Sequence, residues 1–345
     1  MAVDSAVVLV VLVVVLGIFF EYVNGFHDAA NAIATVVATR VLTPAQAVLM
    51  AGSLNLVGAL SGVAVAKTVG AGIVDSKIVT QDLVAAALIA AIAWDLLTWW
   101  FGLPTSSSHA LIFSIIGASV AIHGVGVVIV DGLGKTSFGI VYSPTLAFIF
   151  GYGVMLALYW ILRNASWGGV QRFFGRAQIL SSAYMAFSHG GNDGQKTMGV
   201  IALALAAYGG DFLGLGRVGT GSAFFIPDWV KFVCAISIGV GTATGGWRIM
   251  KTMGIRITKL TPVQGFAAET SAATVIEIAT RLGIPISTTH AISGAILGVG
   301  ATRRLSAVRW GIAGRIVTAW VLTIPGCFVM GYVIAIVFRT IGVHP

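Results

Sequence analysis

Charged side chains are scarce in this sequence. Asp, Glu, Lys and Arg make up 9% of its 345 residues, against roughly a quarter in soluble domains. With 57% of residues hydrophobic, the composition suits lipid as solvent and argues against a water-soluble globule. Cysteine is nearly absent: Cys234 and Cys327 both lie inside apolar runs and read as packing groups without redox meaning. No Cys/His spacing supports a zinc site. Alternating segments of ~10 residues, which a membrane β-barrel requires, are also missing. The first residues lack a basic stretch, include Asp4 and lead to no small-residue cleavage site, so the run 5–23 reads as a retained span, not a cleaved leader.

Long apolar runs dominate instead. A bilayer is crossed by ~20 apolar residues in a helix, and runs at 5–23, 45–66, 81–101, 136–162, 229–247, 261–281 and 310–338 qualify. Three more, at 102–122, 177–208 and 284–302, are interrupted by Gly, Pro or polar clusters. The expectation is an all-α integral membrane protein of about ten to twelve segments, some broken or re-entrant. The net charge of +8 and pI near 9.8 would suggest a nucleic-acid partner in a soluble chain. Here the basic residues sit in short loops between apolar runs, as the positive-inside rule produces, and no nucleic acid is expected.

The sequence repeats itself. Gly102-Leu103-Pro104-Thr105-Ser106-Ser107-Ser108-His109-Ala110 matches Gly283-Ile284-Pro285-Ile286-Ser287-Thr288-Thr289-His290-Ala291, and seven of sixteen positions are identical when the match runs on to Gly117 and Gly298. A weaker pair precedes each copy: Asn24-Gly25-Phe26-His27-Asp28-Ala29-Ala30-Asn31 and His189-Gly190-Gly191-Asn192-Asp193-Gly194-Gln195-Lys196. Loops 67–82 and 123–135 are neutral, whereas 248–259 and 303–309 are basic, as is the stretch with Arg163, Arg172 and Arg176. Equivalent loops thus favour opposite sides of the membrane. The expected organisation is two inverted repeats, 1–162 and 177–345, joined by a basic cytoplasmic linker 163–176, with both termini outside.

The motifs have distinct chemical uses. Charged groups in a lipid-spanning run cost ~3 kcal/mol or more, yet Glu21, Asp28, Asp95, Asp193, Lys196, Glu269 and Glu277 lie in or beside such runs. Asp95 and Glu277 fall near span ends, where snorkelling competes with function. Asp28, Asp193 and Lys196 sit beside Gly and Asn, where a helix can break. In the paired Ser/Thr motifs, Gly and Pro end one helix and the next begins. A helix N-terminus offers unpaired N–H groups and partial positive charge to an anion, and Ser106, Ser107, Ser108, Ser287, Thr288 and Thr289 add hydroxyls there. Two such half-helices meeting would cradle a tetrahedral oxyanion; the plainer reading of each is an ordinary N-cap. His27, His109, His189 and His290 read as groups that fix these motifs by hydrogen bonding.

Together these motifs resemble the inorganic phosphate transporter (PiT) family over nearly the whole chain. The resemblance implies a helical, inverted-repeat homodimer in the cell membrane that takes up inorganic phosphate with a cation, and no enzymatic activity or cofactor. It places phosphate on Ser106, Ser107, Ser287 and Thr288, with Ser108, Thr289, Gln195 and Lys196 beside them. Asp28, Asn31, Asn192, Asp193 and Glu269 are assigned to the coupling cation. Two departures from the family's repeated G-A-N-D-x-x-N pattern stand out: His27 replaces the first Asn, and Lys196 stands where the last Asn of the second copy is expected. An ammonium cannot ligate sodium but can hold its charge position. The variant resembles the low-affinity bacterial branch, which implies proton coupling ahead of sodium coupling and transport of a neutral divalent-metal phosphate complex. Asp28, Asp193 or Glu269 would then titrate. Sulfate is the close rival substrate. A Ser/His hydrolase is disfavoured, because neighbours such as Ser108 and His109 point in different directions on a helix.

Overall fold

A computed structural model describes residues 5–342; Asp4 lies outside the described residues. Regular structure among the described residues is all helix, apart from one isolated bridge between Val74 and Val128, with irregular connections such as 209–220. In order come α1 (Ser5–Ala38), α2 (Pro44–Ala59), α3 (Ala64–Gly72), α4 (Gln81–Phe101), α5 (Ser107–His123) and α6 (Val130–Ile161). After them come α7 (Trp167–Tyr208), α8 (Asp228–Thr244), α9 (Trp247–Lys251, running into a π turn Thr252–Arg256), α10 (Pro262–Arg281), α11 (Thr288–Arg303) and α12 (Trp310–Thr340). The two rows correspond one to one.

The correspondence is inverted. Along α1 and α7, Gly17 meets Ile201, Glu21 meets Thr197, Ser182 meets Ala32 and Thr39 meets Gln178. One sequence rises while the other falls, so equivalent helices run antiparallel. The halves also interlock: α2 packs on α7 and α8 on α1, while α5 packs on α12 and α11 on α6.

Glycine permits this closeness. A Cβ on Gly190 would lie 2.1 Å from the Asn55 carbonyl oxygen, and one on Gly58 would lie 2.0 Å from that of Phe187. This corrects the expectation that the Asp motifs break their helices. Both α1 and α7 pass through Asn24–Asn31 and His189–Lys196 without interruption, because the glycines there receive neighbouring backbone instead of bending their own.

The breaks fall elsewhere. The run 45–66, read as one clean span, is α2 and α3 bent by 67°, and 229–247 belongs to α8 and α9, bent by 56°. Residues 248–256 of the supposed basic loop 248–259 are therefore helical. Among the described residues four helices, α1, α4, α6 and α12, are long and apolar enough to cross a membrane unbroken, or six spans if each bent pair counts as one. The twelve helices among the described residues agree with ten to twelve segments, some broken; α5 and α11, of 17 and 16 residues, fall short of the ~20 a full crossing takes.

Each half-helix has the same local origin. Gly102 and Gly283 adopt left-handed φ values of 64° and 66°, which glycine accepts without steric cost. Pro104 and Pro285 then keep the chain extended until Ser106 and Ser287 cap the next helix. On the outside, α6 and α12 expose Val141, Ile149, Phe150, Val321, Leu322 and Val333, a surface suited to lipid.

The glycine contacts carry a direct test. Gly190→Ala forces a methyl group into backbone, so it is expected to destabilise by ~1–3 kcal/mol, the usual cost of overpacking. Gly153→Ala, which meets nothing within 4 Å, serves as control. Melting curves in detergent check both; equal melting temperatures would remove the role given to Gly190.

Candidate anion and cation site

The N-termini of α5 and α11 face each other at the centre of the fold. The His109 and His290 rings stand edge to face with centroids 4.7 Å apart. Trp320 of α12 stacks on His290 at 3.9 Å and donates from Nε1 to the Pro104 carbonyl at 2.9 Å. Ser106 Oγ accepts from the His109 amide at 3.2 Å and Ser287 Oγ from the His290 amide at 3.1 Å. Both serines are therefore N-caps, as the plainer reading had it. The other first-turn amides have no intrahelical acceptor, and Ser107 Oγ is buried without a partner. Two positive helix ends thus converge on one buried spot.

Around them, α1 and α7 bring the ionisable groups. Lys196, 2% exposed, donates from Nζ to Asp193 Oδ1 at 2.5 Å, to the Ile286 carbonyl at 2.7 Å and to Ser108 Oγ. Asp193 Oδ2 accepts from Thr288 Oγ1 at 2.7 Å and lies 3.2 Å from His189 Nε2. His189 Nδ1 is 2.9 Å from Asn55 Oδ1. On the α1 side, His27 Nδ1 is 2.6 Å from Asp28 Oδ1 and Thr289 Oγ1 donates to Asp28 Oδ2 at 3.3 Å. Asn31 Nδ2 donates to Thr289 Oγ1 at 2.9 Å and to Thr288 Oγ1 at 3.2 Å.

Most of the residues named from sequence therefore meet: Asp28, Asn31, Asp193, Lys196, Ser106, Ser107, Ser108, Ser287, Thr288 and Thr289. Three do not. Gln195 is turned to the α2–α3 break, where its Oε1 accepts from the Val65 amide at 2.9 Å. Glu269 stands apart, accepting from Thr35, Ser181 and, at 3.1 Å, Gln178 Nε2. Asn192 donates to Thr280 Oγ1 at 2.8 Å, as His27 Nε2 lies 3.1 Å from Thr98 Oγ1 in the equivalent place. The span-end reading holds for Glu277, which is paired with Arg281 at 2.8 Å. It fails for Asp95, which is wholly buried with neither carboxylate oxygen bonded; no spacing signal marks that burial. His189 was read only as a fixing group, yet its ring nitrogen and oxygens of Asp28 and Asp193 lie within 4.8 Å of one another.

No catalytic dyad forms. The ring nitrogens of His109 and His290 have no hydrogen-bond partner, so neither activates Ser108 or Thr289. Antiparallel repeats and two facing helix N-termini beside a buried Lys196–Asp193 pair define instead a membrane transporter for an anion.

The comparisons with known proteins agree. The Phosphate transporter family model matches twice, over residues 24–168 and 165–331. A relative in Rhizobium meliloti (strain 1021), "Probable low-affinity inorganic phosphate transporter", is 48% identical over 318 residues, 92% of each chain. One of the same name in Bacillus subtilis (strain 168) is 41% identical, over 93% of this chain and 95% of that one. A solved structure, "The sodium-dependent phosphate transporter", superposes with a TM-score of 0.84 at 27% identity, covering 97% of this chain and all of that one. The chain belongs to the phosphate transporter family. It is a multi-pass membrane protein that transports inorganic phosphate, not an enzyme.

The Lys196–Asp193 pair is open to a measurement. Removing one member of a buried ion pair leaves the other uncompensated, at a cost of ~3–5 kcal/mol. Lys196→Met is expected to lose about that much stability, and Lys196→Met with Asp193→Asn to regain most of it. Unfolding of the purified variants in detergent reads the difference; a double variant no better than the single would break the pairing argument.

Proposed function

We propose that the chain imports phosphate by proton symport, with the anion held between the N-termini of α5 and α11. The single observation that carries the choice of ion is Lys196, whose ammonium sits on Asp193 at 2.5 Å. Asp193 Oδ1 already serves Lys196 and Oδ2 faces Thr288 and His189. That donor set fits sodium poorly, since an ammonium and an imidazole stand where sodium prefers oxygen. A fixed ammonium does the work of one bound cation, and a mobile proton on a carboxylate supplies the rest.

The cycle follows from charge. Phosphate enters from outside and takes hydrogen bonds from Ser107, from the first-turn amides and from the hydroxyls of Ser106, Ser108 and Ser287, while Thr288 and Thr289, whose hydroxyls donate to Asp193 and Asp28, offer their amides. Lys196 and the helix ends offset part of its charge. A proton on an acidic group, with Asp28 and Glu269 the candidates left once Asp193 is paired, brings the loaded centre close to neutral. A neutral centre can be carried through the low-dielectric region, whereas a half-loaded one bears a desolvation penalty. Alternating access then moves the inverted halves against each other.

Further features belong to this reading. The repeats would be α1–α6 and α7–α12, with the basic stretch 163–176, of which 167–176 opens α7 instead of forming a separate linker, and the basic segments of the second half cytoplasmic. The working unit would be a homodimer. Asp28, His189 and Asp193, close enough to hold one ion together, support a cargo of neutral divalent-metal phosphate. The sodium-dependent neighbour favours sodium symport as the second reading.

Uptake of labelled phosphate into proteoliposomes, with proton and sodium gradients imposed separately, divides the two. Accumulation under the proton gradient alone is expected, Asp28→Asn and Asp193→Asn are each expected to abolish it, and excess sulfate is expected to leave it intact. A strict requirement for sodium would discard the role given to Lys196 and keep the phosphate site.

A further inference from the structure

We infer that Glu21 is a proton-binding station of this transporter, separate from the phosphate site and partnered by Asn24 and Thr197; this rests on the proton-symport reading above. Five polar residues, Glu21, Asn24, Asp28, Asn31 and Thr35, interrupt α1 at steps of three and four, so they lie along one face of the helix. Asp28 and Asn31 serve the central cluster, and Thr35 bonds Glu269. Glu21 is two turns from Asp28, about 10 Å along the axis, and no part of the anion cradle touches it.

Its surroundings demand neutralisation. The Glu21 side chain is wholly buried, and no cation is paired with it among the described residues. One carboxylate oxygen accepts from Thr197, while Oε1 has no partner. The Asn24 side chain, one turn on and 3% exposed, lies against the carboxylate, and its Oδ1 is likewise unpartnered. Glu21 Oε1 is thus a buried acceptor left without a hydrogen. A proton on Glu21 supplies one and removes the unpaired charge together, whereas a bare carboxylate there has lost water and gained too little in return. The titratable groups that face it are Asp193 and Lys196 from α7 and the Cys234 thiol from α8. Asp193 and Lys196 neutralise each other, so neither compensates Glu21. Asp95, the other unpartnered carboxylate, has His27 as its neighbour; Glu21 has no base beside it.

The wall over Glu21 is thin and stands next to a break. A Cβ on Gly194 would lie 3.6 Å from Glu21 Oε1 and 2.7 Å from Ala59, the last residue of α2. Beyond Ala59 the bent span opens, with Leu60 and Ser61 exposed. Gln195, the neighbour of Gly194, holds the start of α3 there through the Val65 amide. Movement of α3 about the 67° bend between α2 and α3 would open and close the way to Glu21. The step itself is a simple one: Glu21 carboxylate gains a proton on one side and releases it on the other.

The experiment compares wild type with Glu21→Gln in proteoliposomes, using proton-gradient-driven accumulation of labelled phosphate and, separately, exchange of internal for external phosphate with no gradient. Gln mimics the protonated acid permanently. The expected result is loss of proton-driven accumulation and of its pH dependence, with exchange retained. Wild-type accumulation and pH dependence in Glu21→Gln overturn the inference and leave proton symport standing. If wild type itself does not respond to the proton gradient, both the inference and the proton reading fall. Should Glu21→Gln lose exchange as well, Glu21→Asp decides: exchange recovered with a displaced pH profile supports the station, and exchange still lost overturns it in favour of a packing role.

Discussion

A charge in the middle of this protein has to be neutralised where it stands. The groups there are buried, and a carboxylate or ammonium without a partner costs several kcal/mol against folding. The centre is built around that constraint. Lys196 is held by Asp193, Ser108 and a backbone carbonyl, and Asp28 by His27 and Thr289. What remains is the partial positive charge of two helix ends, with Ser107 still unbonded. An arriving phosphate completes that arrangement, and its removal leaves a deficit. Coupling between ion and substrate is in this view the same balance seen from the membrane's side, since only a nearly neutral core can change access.

The inverted repeat places those helix ends. Because α5 and α11 are equivalent segments running in opposite senses, their starts can face each other with the His109 and His290 rings in contact. Crossing the repeats, α5 on α12 and α11 on α6, fixes the half-helices from outside. Close backbone approach at Gly58 and Gly190 fixes the ionisable helices from within. The duplication is exact in element order but not in chemistry. Asn31 of the first repeat and Lys196 of the second occupy equivalent places, one a neutral amide and the other a cation. That asymmetry gives Asp193 a fixed cationic partner that Asp28 does not have at the same place.

Much of this was legible in the sequence. The repeat of G-x-P-x-S-[ST]-[ST]-H located both half-helices, since Gly and Pro act locally and need no partner to end a helix. The charge of equivalent loops indicated inversion, which the antiparallel course of α1 and α7 bears out. The Asp motifs misled in one respect: their glycines suggested broken helices, yet those glycines serve contacts with α2 and α8 that have no trace in a local pattern. The breaks within 45–66 and 229–247 were hidden for the converse reason, as apolar composition alone does not record a bend. Asp95 looked like a span-end group because its burial comes from helices distant in sequence. Gln195 looked like part of the site because it adjoins Lys196, but the next residue on a helix points ~100° away.

The central claim is that phosphate lies between the starts of α5 and α11. Arsenate has the same shape and charge as phosphate and scatters anomalously. A crystal of the protein grown with arsenate would locate the anion directly. The predicted result is an anomalous peak within hydrogen-bond reach of Ser107 and of the Ser108 and Thr289 amides, beside Lys196. A peak elsewhere in the protein, with the space between the two half-helices lacking one, would contradict it.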